Sequence, residues 1–167
     1  MKRHIVLVAV LCAGLWLGWT WLFPSDEAQI AALLERIADG VSSGASEGDV
    51  GRLARAASLR DEFAPDVLVD AGPPFQRLQG REAIIGAAAR ASGRVRNLDV
   101  SFPDVSIVVA PDRQSASAVV TAEARFDDES GRVLDARELD IGFLRPDGTW
   151  MISAVTVVRP LQPLDGR

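Results

Sequence analysis

Residues 115–126, Ser-Ala-Ser-Ala-Val-Val-Thr-Ala-Glu-Ala-Arg-Phe, alternate with a period of two. Ala116, Ala118, Val120, Ala122, Ala124 and Phe126 fall on one face, while Ser117, Thr121, Glu123 and Arg125 fall on the other. Successive strand side chains point to opposite sides, so this is a strand with one dry and one partly wet face. Its neighbours repeat the pattern. Arg132–Leu144 and Thr149–Val158 read as strands separated by Pro146-Asp147-Gly148, a tight-turn signal that makes them an antiparallel hairpin. Upstream, Leu98–Phe102 leads into Val105–Val109, with Pro103 expected at a bulge or on a sheet edge.

Before residue 95 the period is helical. Ile30, Leu33, Leu34, Ile37 and Val41 recur at three-four spacing, with Ser25 or Asp26 as the cap of that helix. Ser42-Ser43-Gly44-Ala45-Ser46 breaks it, and a second helix is expected from Asp49 to about Phe63. Pro65 stops helical structure, Val67–Val69 makes a short strand, and Gly72-Pro73-Pro74 bends the chain. A third helix runs from Arg81 to about Ala91 with Ile84, Ile85 and Ala88 inward. Helices first and a meander afterwards imply an α+β domain, about three helices lying on one face of an antiparallel sheet. In the last strand Trp150, Ile152, Ala154 and Val158 take one face and Met151, Val155 and Val157 the other. Both faces are then apolar, and the expected cover for the second is a partner in a sheet-to-sheet homodimer, or else the tail.

Nineteen uncharged residues, Ile5–Phe23, separate Lys2-Arg3 from Asp26-Glu27. As a helix they reach roughly 28 Å, about the hydrocarbon thickness of a bilayer. The run ends in Trp19-Thr20-Trp21-Leu22-Phe23-Pro24, a poor cleavage site, and Trp16, Trp19 and Trp21 suit a membrane interface. An uncleaved signal anchor is therefore expected over 1–24, with a domain over 25–160 and a tail over 161–167. Lys2 and Arg3 put the amino terminus in the cytoplasm, so a single-pass protein of the bacterial inner membrane facing the periplasm or cell exterior is implied. The single cysteine, Cys12, lies inside the apolar run, which leaves no disulfide for the domain. A net charge of −5 without a basic, aromatic-interleaved patch argues against nucleic acid as a partner.

Leu59-Arg60-Asp61-Glu62-Phe63-Ala64-Pro65-Asp66-Val67, then Gly80-Arg81-Glu82-Ala83-Ile84-Ile85, then Asp147-Gly148-Thr149-Trp150-Met151-Ile152, taken in that order, resemble the nuclear transport factor 2-like superfamily. SnoaL-like cyclases and ketosteroid isomerase belong to it. The resemblance covers about residues 27–159 and implies a cystatin-like cone, a curved sheet wrapped around the helices over an apolar pocket. That fold serves enzymes, ligand binders and association modules alike.

The isomerase branch uses an aspartate base and an oxyanion hole of tyrosine and protonated aspartate. This chain has no tyrosine, and its sole histidine, His4, precedes the apolar run. Counting from Gly80 puts the base position at Ala71, one residue past Asp70; counting from the last hairpin puts the second acid at Ile141, one past Asp140. A one-residue offset on a strand turns a side chain to the opposite face. Asp70, at a loop, is the remaining candidate base, against the plainer reading of a turn carboxylate. No metal-ligand or cofactor motif is present; Asp127-Asp128-Glu129 reads as a solvated turn. The expectation is a membrane-anchored, extracytoplasmic, non-catalytic domain that binds an apolar small molecule or a partner protein, its pocket lined by Phe63, Phe75, Phe126, Ile141, Phe143 and Trp150. An Asp70-dependent SnoaL-like or isomerase-like enzyme and a structural subunit of an envelope assembly are the alternatives; a packed core is the alternative for the aromatics.

Overall fold

The computed structural model describes residues 24–42, 51, 54, 57–72, 77–91, 96–128 and 131–158. The expected span Ile5–Phe23, the tail 161–167 and positions 49, 50, 52, 53, 55 and 56 of the expected second helix lie outside these residues. No helix among the described residues is long and apolar enough to cross a membrane.

Helix α1, Asp26–Val41, opens with Ser25, whose Oγ accepts the Ala28 N–H at 3.2 Å, and with Asp26 and Glu27 in the first turn. Both devices satisfy the positive, unpaired end of a helix. Ile30, Leu33, Leu34 and Ile37 are buried as their spacing predicts, but Val41 is exposed at the last turn. The Ser42 hydroxyl ends the helix by donating to Ala38 O at 2.7 Å while accepting the Val100 N–H at 2.9 Å, which ties α1 to the sheet. At Gly40 an added Cβ would fall 2.4 Å from Leu59 Cδ2, so any larger residue here would have to push the Leu59 side chain aside.

The described residues Gly51, Ala54, Ala57 and Ser58 are helical, as expected for a second helix, but that helix does not reach Phe63. A short 3-10 helix, Arg60–Glu62, intervenes, and strand β1 already spans Phe63–Asp70, four residues before the expected Val67. Pro65 fits inside β1 because the register against the next strand shifts between Phe63 and Leu68, where a missing N–H costs no ladder bond. Strand β2, Leu78–Gln79, then precedes α2, Arg81–Ala91. Ile84 and Ile85 pack against the core, whereas Ala88 is exposed rather than inward.

Strands β3 (Arg96–Val109), β4 (Ser115–Asp128), β5 (Gly131–Leu144) and β6 (Met151–Val157) complete one six-stranded sheet of order β2-β1-β6-β5-β4-β3. Pro103 sits on edge strand β3 at a register shift between Ser101 and Asp104, which is how a proline is accommodated there. The sheet is not wholly antiparallel, because β1 pairs with β6 in parallel. The whole meander connects those two strands, so no short turn forces them to run oppositely.

The final strand also departs from simple alternation. Ile152 faces Phe143, but Ala154 faces Gly142, so Ser153 is an extra residue in β6. This bulge resets the phase, and Ile152, Val155 and Val157 stand opposite Phe143, Ile141 and Leu139 on one face. The two apolar faces expected of β6 are therefore largely one. That inward face meets α1 in a continuous core containing Ile30, Leu33, Val67, Val120, Phe143 and Trp150.

Candidate functional site

Among the described residues, none of those expected to line a pocket borders the cavity between α1 and β3. Phe63, Ile141, Phe143 and Trp150 are 8%, 4%, 1% and 3% exposed and belong to the packed core. Phe126 is half-buried on β4 opposite Val133, and Phe75 lies outside the described residues.

Asp70 and Asp140 share a row on the other side of the sheet. Val69 pairs with Val155 and Val155 with Ile141, while Asp70 pairs with Thr156 and Thr156 with Asp140. Since side chains of directly paired residues lie on one side, the first row faces the core and the second faces away. The Asp70 carboxylate accepts the Gly72 N–H at 3.1 Å and the Arg77 Nε and Nη2 at 3.1 and 2.6 Å. Gly72, at φ +67°, supplies the backbone conformation this aspartate-headed turn requires. Both oxygens of this carboxylate are thus engaged by local partners. Among the described residues no group of histidine, cysteine and acidic side chains could hold a metal ion.

A cavity lies elsewhere, between the middle of α1 and the edge strand β3. Its volume is about 320 Å³, and Ala31, Leu34, Glu35, Ala38, Asp39, Val100, Ser101, Phe102 and Val105 line it. The helix side is built from positions 31, 34, 35, 38 and 39, one face at three-four spacing. The groove exists because Ala31 and Ala38 are too small to fill the space that Leu33 and Ile37 fill on the neighbouring face. The register of β3 shifts between Ser101 and Asp104, and Val105 just beyond is 37% exposed. The Ser42–Val100 hydrogen bond stands beside its end at the helix carboxy terminus. Sequence reasoning missed this groove; its signal was the pair of alanines flanking the leucine stripe, opposite a strand broken by proline.

A second cluster closes the opposite end of α1. Asp26, 4% exposed, accepts Arg113 Nε at 2.5 Å and Arg145 Nη1 at 2.7 Å. Arg113 comes from the β3–β4 turn at φ +55°, and Arg145 from the β5–β6 turn, where its Nε also donates to Gly148 O at 3.1 Å. The Arg145 guanidinium lies 5.4 Å from the Trp150 ring centroid, a cation–π distance. The hydrogen bond from Arg113, reinforced by the charges of Arg113 and Arg145, holds the Asp26 carboxyl below its ordinary 3.8 against the opposing effect of burial. The buried Trp150 indole N–H also favours the charged carboxylate, but at a geometry short of a full hydrogen bond. Asp26 therefore locks a helix end to two hairpin tips, a larger role than the cap expected of it.

The chain matches the model of the SnoaL-like domain family over residues 25–156 and belongs to that family. Among solved structures it resembles a nuclear transport factor 2-like protein with a cystatin-like fold from Novosphingobium aromaticivorans. That match has 16% identity and a TM-score of 0.64, covering 92% of this chain and 90% of the other. It also resembles Kfla4162 of Kribbella flavida, at 15% identity and TM-score 0.67 over 83% and 93% of the two chains. A Catenulispora acidiphila protein in complex with S-DNPA matches at 18% identity and TM-score 0.59 over 78% and 92%. No curated protein sequence matches the chain. These likenesses establish the α+β, cystatin-like fold expected from the sequence.

Proposed function

We propose that this SnoaL-like domain is a membrane-anchored, extracytoplasmic, non-catalytic module that binds an apolar small molecule in the groove between α1 and β3. The observation that carries the reading is the groove itself, whose volume of about 320 Å³ lies at the lower end of the range of small-molecule sites. Support against catalysis comes from Asp70, which Arg77 and Gly72 engage on the side of the sheet away from the core. One similar fold, from Catenulispora acidiphila, is a complex with S-DNPA, which is in keeping with ligand binding as a use of this architecture.

The anchor belongs to the proposal through the sequence alone. Helix α1 begins at Asp26, three residues after the apolar run ends at Phe23, so a tethered domain stands close to the bilayer. Confinement there raises its effective concentration toward membrane-borne ligands or partners. A homodimer through the outer sheet face, where Val108, Val119, Leu134 and Leu144 are exposed, remains part of the proposal.

Native mass spectrometry of the full-length protein, released from its membrane in lipid nanodiscs, tests the binding reading. A bound small organic species is expected with wild type and not with Val105→Trp, which fills the groove. Retention of the same species by Val105→Trp would place binding elsewhere, and a partner protein in its stead would favour an assembly role.

A further inference from the structure

The chain is held in place right up to the end of the apolar run. Ser25 Oγ accepts the Ala28 N–H at 3.2 Å, and Gln29 Nε2 donates to Pro24 O at 3.0 Å, so both residues before α1 are tied to its first turn. Ser25 is extended, at φ −59° and ψ 161°, and the chain turns out of the helix axis there. Phe23, the last residue of the apolar run, is then separated from Asp26 by at most about 11 Å of chain.

That first turn is joined to two hairpin turns. Arg113, in the β3–β4 turn, and Arg145, in the β5–β6 turn, both donate to the buried Asp26 carboxylate. The turns also bond each other, the Arg145 N–H donating to Gln114 O at 2.9 Å. Each is closed on itself, by the Arg113 N–H to Ala110 O at 2.9 Å and the Thr149 N–H to Pro146 O at 3.1 Å. Pro111, Asp112, Gln114, Pro146, Asp147 and Thr149 are exposed at this end of the domain.

We propose, resting on the reading of Ile5–Phe23 as a membrane span, that this end is a membrane-apposed surface. The β3–β4 and β5–β6 turns lie on the head-group layer of the bilayer, and the domain stands on it in one orientation. A flexible tether would let the domain tumble, but Pro24, the residue next to the end of the run, is already held. The exposed turn residues are polar or proline and carry both signs of charge, Asp112 and Asp147 against Arg113. A hydrated, zwitterionic head-group layer accommodates such a surface without burying a charge. The groove gains a direction from this arrangement. Ala31, the first residue of its lining, lies about 8 Å past Asp26 along the helix at the helical rise. Whatever the tilt of α1, the near edge of the groove is at most that much farther from the bilayer than the closed end, within reach of an apolar molecule leaving the lipid.

The test uses methyl-labelled full-length protein in phosphatidylcholine nanodiscs carrying a small fraction of lipid with a gadolinium chelate on its head group. Gadolinium broadens nearby methyl signals, and the effect falls steeply with distance. Val108 and Leu144, both exposed, flank the two turns, whereas the exposed Leu134 sits about 33 Å of strand back along β5. Val108 and Leu144 are expected to lose most of their intensity and Leu134 to keep most of its own. A long glycine-serine segment inserted between Phe23 and Pro24 should shrink this difference severalfold, because the joint then no longer sets the orientation.

Stronger broadening of Leu134, or equal broadening of all three, would overturn the orientation while the anchor stands. A difference that survives the insertion unchanged would overturn the role given to the joint. Protein that separates from the nanodiscs on size-exclusion chromatography would mean that Ile5–Phe23 does not hold it in the bilayer, and then both readings fail.

Discussion

At its first turn α1 is closed into the protein: Asp26 is buried, two arginines from separate hairpin turns reach it, and Ile30 and Leu33 fill the space beneath. From its middle to its last turn the same helix stands against the edge strand β3 across a cavity, touching it again where Ser42 accepts the Val100 N–H. The contrast comes from side-chain size and strand regularity. Where large residues oppose the central strands, the interior is filled; where Ala31 and Ala38 oppose the bulged edge strand, it is not. The closed end holds the large buried side chains and the buried carboxylate, and the open end leaves the space in which the proposed binding is placed.

The largest effect that separates the two ends is expected from Phe143→Ala in the closed region. Truncating this 1%-exposed ring should cost about 3–5 kcal/mol in chemical denaturation. A cost below about 1 kcal/mol would mean that the core around it is loose, which would blur the contrast.

Asp26→Asn comes next, with an expected loss of about 2–3 kcal/mol, since a buried carboxylate loses charge-assisted bonds to two partly solvated arginines. It also has a pH signature. The folded-state pKa of Asp26 is lowered, so its contribution is complete above the ordinary value of 3.8 and is lost as pH falls through the lower folded value. Wild type should therefore lose stability across that acid range, and Asp26→Asn should show a flatter acid limb. Equal slopes in pH-dependent denaturation would remove Asp26 from the account of the closed end.

Much of this contrast's framework was legible beforehand. The stripe Ile30, Leu33, Leu34, Ile37 gave α1, and the alternation over 115–126 gave β4 with its dry face, because both patterns follow from local geometry. Pro103 at a bulged edge was legible for the same reason. The phase change at Ser153 was not, because a bulge depends on which partner residues a strand meets. The burial of Asp26 was hidden too: its arginines lie 87 and 119 residues away in sequence. The aromatic residues fit either a pocket lining or a packed core; in the fold Phe63, Phe143 and Trp150 lie in the core, and the space between α1 and β3 is left by small side chains beside an irregular strand.

Gly40→Ala is a smaller perturbation, placed where α1 presses on Leu59. A methyl group there meets Leu59 Cδ2 at 2.4 Å, so a destabilisation of about 1–3 kcal/mol is expected from overpacking, after the gain in helix propensity is set against it. Thermal denaturation with Leu59→Ala added checks the cause, since the smaller partner should relieve the clash; additive losses would refute it.

Smallest in stability is Val105→Trp at the open end. Val105 is 37% exposed, so the change should stay within about 0.5 kcal/mol while abolishing binding of apolar ligands. A large loss of stability would show that this side chain is part of the packed interior.

The central claim is that the domain's ligand space lies between α1 and β3 and not among the aromatic residues of the core. A titration of methyl-labelled full-length protein in nanodiscs with hexanol tests it most directly. Saturable shifts at Leu34, Val100 and Val105, with Ile141 and Ile152 unmoved, are the predicted result. Shifts confined to Ile141 and Ile152, with the groove residues silent, would contradict it.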